Sequence, residues 1–313
     1  MSSHLLDESA NGVYIISATP FTDDGELDLE SADRLVDFYI EQGVSGVTLL
    51  GMMGEAQKLS PAESESFVGR MLKRIDGELP LIVGVSNAGL DNLACLSKLS
   101  MDKGAAGVMV APLAGLGTEQ KVYDYFGQVF EALGPDIPVC YQDYPFATRT
   151  EVSVPLFQRM VGAFDQLVML KHEECPGLSK LSAVRNASDV GMRRVSILCG
   201  NGGLYLPQEL ARGADGAMTG FAYPEMLVEV VALYQAGETD RAEDVFDAYL
   251  PLVRHEQQPG FGLALRKEVL HRRGVITSAK VRAPGPSLNS TDSDELTRLI
   301  SRVERNVEAL RSR

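Results

Sequence analysis

Eight short apolar runs, each followed by a longer segment with helical spacing, constrain this chain more than any other feature of its sequence. They read GVYIISATP (12–20), SGVTLLG (45–51), LPLIVGVS (79–86), AGVMVAP (106–112), IPVCYQ (137–142), QLVMLK (166–171), RVSILCG (194–200) and ADGAMTG (214–220). Runs that stay apolar instead of alternating mark strands covered on both faces, the condition of a parallel sheet. The intervening segments carry helix punctuation. Ser60-Pro61-Ala62-Glu63 is a capping box with proline at the first helical position, and Gly43 and Gly104 follow amphipathic stretches as stops.

Repeated eight times at intervals of about 20 to 35 residues, this unit predicts an α/β fold, a (β/α)8 TIM barrel, with an open doubly wound sheet as the competing arrangement. After residue 236 the strand signal stops. RAEDVFDAYLPLVRHEQQ, GLALRKEVLHRRG and SDELTRLISRVERNVEALR read as helices, with APGPS at 283–287 as a turn. Residues 1–236 are therefore read as the barrel and 237–313 as a C-terminal helical extension packed on it, without a linker between them.

Composition narrows the partners. A formal charge of −14 and a pI near 4.8 give a field that repels polyanions, so neither nucleic acid nor an anionic membrane is expected. The N-terminus lacks a basic stretch before an apolar core, and no segment approaches ~18 uninterrupted apolar residues, so neither signal peptide nor membrane span is expected. Cys95, Cys140, Cys175 and Cys199 are scattered, without a C-x-x-C pair or a nearby histidine set. That pattern suits reduced thiols in a cytoplasmic protein and no metal. No G-x-G-x-x-G follows the first strand, so no nucleotide cofactor is expected.

A barrel of this kind builds its active site at the carboxyl ends of its strands. Those ends read Thr19-Pro20-Phe21, Gly51-Met52-Met53-Gly54-Glu55, Ser86-Asn87, Pro112, Gln142-Asp143-Tyr144-Pro145, Lys171-His172-Glu173, Gly200-Asn201-Gly202-Gly203 and Met218-Thr219-Gly220. Lys171 is the lone lysine or arginine among them. A desolvated amine is a nucleophile able to form an imine with a carbonyl substrate, and the imine is an electron sink for bond cleavage beside it. The plainer reading is a lysine paired with Glu173 or Glu174, or one that snorkels to solvent.

The order of these motifs closely resembles the dihydrodipicolinate synthase and N-acetylneuraminate lyase family over essentially the whole chain. GVYIISATPFTDDGELD followed by GVSGVTLLGMMGEAQKLSPAE is similar to its opening, and LPLIVGVS, GAAGVMVAPL, IPVCYQDYP, LVMLKHEE, LCGNGG and GADGAMTG follow in the family's order. The resemblance implies a class I aldolase-type lyase in which Lys171 forms a Schiff base with pyruvate or a longer 2-oxo acid. It implies no cofactor, and a homo-oligomer, tetramer or dimer. It also implies a substrate pocket formed by Thr19, Gly51, Met52, Met53, Glu55, Gln142, His172, Gly200, Asn201 and Met218.

Several positions depart from the family. Met52-Met53 stands where a hydroxyl pair usually holds the carboxylate, and thioethers donate no hydrogen bond. Gln142 stands at the position of the acid/base tyrosine and Ala147 at that of an arginine. Residues two apart on a strand share a face, so if Gln142 points inward Tyr144 does too, while Tyr141 points out. Tyr144 is thus the expected phenol beside Lys171. The alternatives are that it packs at the rim above Pro145, or that Tyr141 takes the role if the alignment slips by one. The methionine pair suggests a longer or aromatic 2-oxo acid. Two other readings stay open: 4-hydroxy-tetrahydrodipicolinate (dihydrodipicolinate) synthase proper, and a non-catalytic metabolite-binding barrel.

Overall fold

The computed structural model of the chain describes residues 5–312. Eight parallel strands pair in sequence order and close on themselves: β1 (Gly12–Ile16), β2 (Gly46–Leu49), β3 (Leu81–Gly84), β4 (Gly107–Val110), β5 (Val139–Asp143), β6 (Leu167–His172), β7 (Ser196–Cys199) and β8 (Gly216–Ala217). The fold is a TIM barrel, as the strand repeat predicts. Closure turns alternate residues inward. Tyr14, Ile16, Ile82, Met109, Cys140, Met169, Leu198 and Met218 fill the interior, and the others pack on the surrounding helices.

Between the strands run α1 (Leu29–Glu41), α2 (Pro61–Ile75), α3 (Leu90–Asp102), α4 (Glu119–Leu133), α5 (Pro145–Thr148), α6 (Val154–Ala163), α7 (Leu178–Asp189) and α8 (Leu206–Ala211), with α9 (Pro224–Gln235) after β8. Local chemistry sets their ends. The Ser60 hydroxyl accepts from the Glu63 amide while the Glu63 carboxylate accepts from the Ser60 amide, closing the capping box at α2. Gly43 and Gly104 follow α1 and α3 with φ of +73° and +102°, a conformation that favours glycine.

Three more helices complete the chain: α10 (Thr239–Glu256), α11 (Gly262–Arg272) and α12 (Ser290–Arg311). The tail does more than pack on the outside. The loop between α10 and α11, and the segment from Val281 to Pro286, lean over the carboxyl ends of the strands and help to enclose a cavity there.

Candidate active site

Lys171 is the fifth residue of β6, with Gln142 of β5 as its register partner. The apolar run that makes β6 a buried strand also carries this lysine indoors, its side chain only 5% exposed. Glu173, just past the strand, folds back so that Oε2 lies 3.2 Å from Lys171 Nζ. The same Oε2 accepts a hydrogen bond from Gln142 Nε2 at 2.7 Å. Asn201 Nδ2 donates to the Glu173 carbonyl at 3.0 Å, tying the β6 loop to the β7 loop.

The lysine faces a cavity of about 440 Å3 at the carboxyl ends of the strands. From the predicted set, Met52, Met53, Gln142, Tyr144 and Asn201 line it with Lys171 and Glu173. Burial pushes the Tyr144 phenol up, and the Glu173 charge adds to that shift, so the phenol keeps its proton. Tyr141 turns outward, its ring against Phe126 and Phe157. Leu50, Glu55 and Asn201 hold positive φ of 53°, 54° and 48° in the loops around this mouth. Non-glycine residues in that region store strain of about 1 kcal/mol or more each, which tends to concentrate at functional sites.

Six of the predicted pocket residues lie outside the lining. Thr19 donates to the Gly54 carbonyl at 2.6 Å, and Gly51 precedes the tight turn that presents Met52 and Met53. Glu55 points into the tail, where Lys267, Lys58 and the Arg282 amide take both of its oxygens. His172 emerges on the opposite face of β6 from Lys171. Its Nε2 lies 3.0 Å from the Gly177 carbonyl and its Nδ1 3.8 Å from Asp143. Met218 is sealed in the barrel, with the Cys140 thiol 3.9 Å from its sulfur. Gly200 has a packing reason instead of a binding one. A Cβ there would stand 2.2 Å from Glu173 Cγ, so only glycine lets Glu173 reach Lys171.

Behind the strand is a second charged cluster. Lys180 Nζ lies 2.6 Å from Asp143 and donates to Glu174 at 2.6 Å. Nearby, burial raises the Glu209 carboxyl to about 7, against the lowering influence of His172 and a hydrogen bond with Cys199. Among the described residues no group of three or more His, Cys, Asp or Glu side chains is placed to hold a metal ion, and no helix is long and apolar enough to cross a membrane.

The tail supplies wall residues that the strand-end motifs do not reveal. Glu256 and Gln257 come from the end of α10, Arg266 from α11. Burial raises the Glu256 carboxyl to about 7 even though Arg266 pulls the other way. One signal was present in the sequence: Arg266 precedes Val269 by three and Leu270 by four, which puts a cation on the same helix face as two apolar residues.

The dihydrodipicolinate synthetase family matches residues 9–303. The chain belongs to this family. It is 30% identical to the L-2-keto-3-deoxyarabonate dehydratase of Azospirillum brasilense, over 94% of each chain. It is 26% identical to a 4-hydroxy-tetrahydrodipicolinate synthase of Methanococcus maripaludis, over 78% of this chain and 82% of that one. The crystal structure of a dihydrodipicolinate synthase from Rhodopseudomonas palustris superposes with a TM-score of 0.94 at 48% identity, covering 96% of this chain and all of that one. Its relatives thus include both 4-hydroxy-tetrahydrodipicolinate synthases and a dehydratase.

Proposed function

We propose that this chain is a Schiff-base-forming lyase of the aldolase or dehydratase type that acts on a 2-oxo acid through Lys171. The observation that carries the reading is the buried Lys171 amine at the end of β6, open to a cavity and 3.2 Å from one carboxylate oxygen of Glu173. Imine formation needs the neutral amine, and Glu173, held by Gln142, is positioned to accept the ammonium proton. Attack on the oxo carbon and loss of water give the protonated imine. Removal of the adjacent C–H proton then yields the enamine.

In a dehydration, the enamine expels a hydroxyl one carbon further on, which leaves as water once protonated. Tyr144, the phenol that lines the cavity with Lys171, is the proton donor we assign to this step. A dehydratase accords better with the cavity than the synthase reading, because Met52 and Met53 offer no hydroxyl and Ala147 no cation for a second substrate. A homo-oligomer, tetramer or dimer, is the expected assembly.

Intact-mass measurement after incubation with pyruvate, or with longer 2-oxo acids, under borohydride tests the imine. The expected result is a reduced adduct on the wild type and none on Lys171→Ala. Absence of an adduct with every acid would instead favour a non-catalytic binding barrel. Complementation of a lysine auxotroph would turn the reading back to the synthase.

A further inference from the structure

The chain leaves β6 through two consecutive glutamates whose side chains go to opposite sides. Glu173 enters the cavity with Lys171, whereas Glu174 enters a separate cavity of about 670 Å3 that Pro145, Arg149 and Lys180 also line. Side chains one residue apart on a strand point to opposite faces, and that alternation carries on here past the end of the strand. The main chain of Glu173 is fixed by its amide, which donates to the Asp143 carbonyl at 3.0 Å, and by its carbonyl, which accepts from Asn201 Nδ2 at 3.0 Å. The turn that follows is held from the helix side.

Lys180, in the first turn of α7, holds it. Its Nζ lies 2.6 Å from Asp143 Oδ2 and donates to Glu174 Oε2 at 2.6 Å, and its side chain is 8% exposed. Asp143 is fully buried on β5 and pairs in register with His172, the residue before Glu173. One lysine thus joins the start of α7, the end of β5 and the loop after β6. That loop is tight: a Cβ on Gly177 would stand 2.1 Å from the Glu174 carbonyl oxygen.

A buried ionic cluster adds little to stability over apolar side chains of the same volume, but it admits few arrangements of the groups that carry it. The arrangement admitted here has a consequence on the other side of the strand. With Glu174 drawn outward to Lys180, the preceding side chain turns inward, where Glu173 Oε2 comes to 3.2 Å from Lys171 Nζ.

We propose that Lys180 and Glu174 are positioning residues: their ion pair, on the helix side of β6, holds the Glu173 carboxylate against the Lys171 amine. The kinetic consequence rests on the reading of Lys171 as the imine former, but the place of the carboxylate can be observed without it.

Two measurements on the full chain test the clamp. Glu174→Ala removes the tie at a side chain that is 28% exposed, which spares the core. A crystal structure of this variant should show the Glu173 carboxylate withdrawn from Lys171. Its trapping with pyruvate and with 2-oxohexanoate under borohydride, followed by intact mass, should slow about tenfold, less than loss of Glu173 itself because the carboxylate is displaced and not deleted. Glu174→Gln keeps an acceptor for Lys180 and should restore most of the rate. Added to Glu173→Gln, Glu174→Ala should slow trapping no further, since both act through one carboxylate. A Glu174→Ala variant that keeps the carboxylate at the amine, or traps at the wild-type rate, overturns the clamp, as does slowing that multiplies in the double variant. A displaced carboxylate without any adduct on the wild type upholds the clamp and sinks the imine.

Discussion

Two lysines of this chain are buried beside glutamates, and only one of them faces open space. Lys267 is fully buried. Its ammonium donates to Glu55 at 2.5 Å and to the Lys280 carbonyl at 2.8 Å, and it lies 4.5 Å from the centre of the Phe21 ring. Burial pushes that amine down to about 8, against the pull of Glu55. Lys171 has Glu173 at 3.2 Å and otherwise looks into the cavity. Lys267 is thus an amine perturbed by burial whose task is to join the tail to the barrel. Perturbation accompanies burial of any kind, whereas reactivity needs hydrogen-bonding capacity left for a substrate.

Exchanging the two lysines experimentally should separate chemistry from stability. Lys171→Ala should abolish the borohydride adduct and lower turnover at least about a thousandfold, with a small change in melting temperature. A variant that keeps its turnover would break the contrast outright. Lys267→Met should do the reverse. It leaves Glu55 paired with Lys58 and the Arg282 amide but strips Oε1 of its partner, and should cost about 1 to 3 kcal/mol in denaturant unfolding, while the folded fraction still forms the adduct. A loss below about 1 kcal/mol would mean that the tail is held by other contacts.

A smaller effect should sharpen the role of the partner acid. Glu173→Gln keeps the volume and the contact to Gln142 but removes the proton acceptor, and should slow adduct formation roughly a hundredfold. Unchanged trapping kinetics would assign Glu173 to positioning alone.

The mildest expectation concerns Glu209, a buried acid outside the cavity lining. Its folded value of about 7 lies above the ordinary 4.5 because burial disfavours the carboxylate. The folded chain therefore binds the extra proton between these values. That contribution to stability is whole below about 4.5 and is lost as the pH rises through 7. Glu209→Gln should accordingly unfold later than wild type at pH ~8, by on the order of 2 kcal/mol, and the gain should vanish towards pH ~4.5. A gain independent of pH would show that packing, not ionisation, is responsible.

Much of this was legible because strand rules are local. A run apolar on both faces, ending at Lys171, places that side chain at a barrel mouth, and the two-residue period puts Gln142 and Tyr144 on the cavity side with Tyr141 outside. The same rules say nothing about a loop. Glu173 lies one residue past β6, and only the bare backbone of Gly200 on the next loop lets it turn back to the lysine. His172 and Glu55 sit at strand ends as the motif order requires, yet one leaves on the helix side and the other is drawn into the tail.

The sequence by itself determined the eight-fold strand repeat, the helix ends and the one amine at a strand terminus, because each depends on neighbours within a few turns of chain. Tertiary closure decided which carboxylate meets that amine. It also decided which lysine is spent on structure, and that a helix about 95 residues downstream of Lys171 brings Arg266 into the same cavity. Such contacts depend on the direction in which side chains leave a closed sheet and on the space that single glycines leave open. No local pattern of residues encodes that geometry.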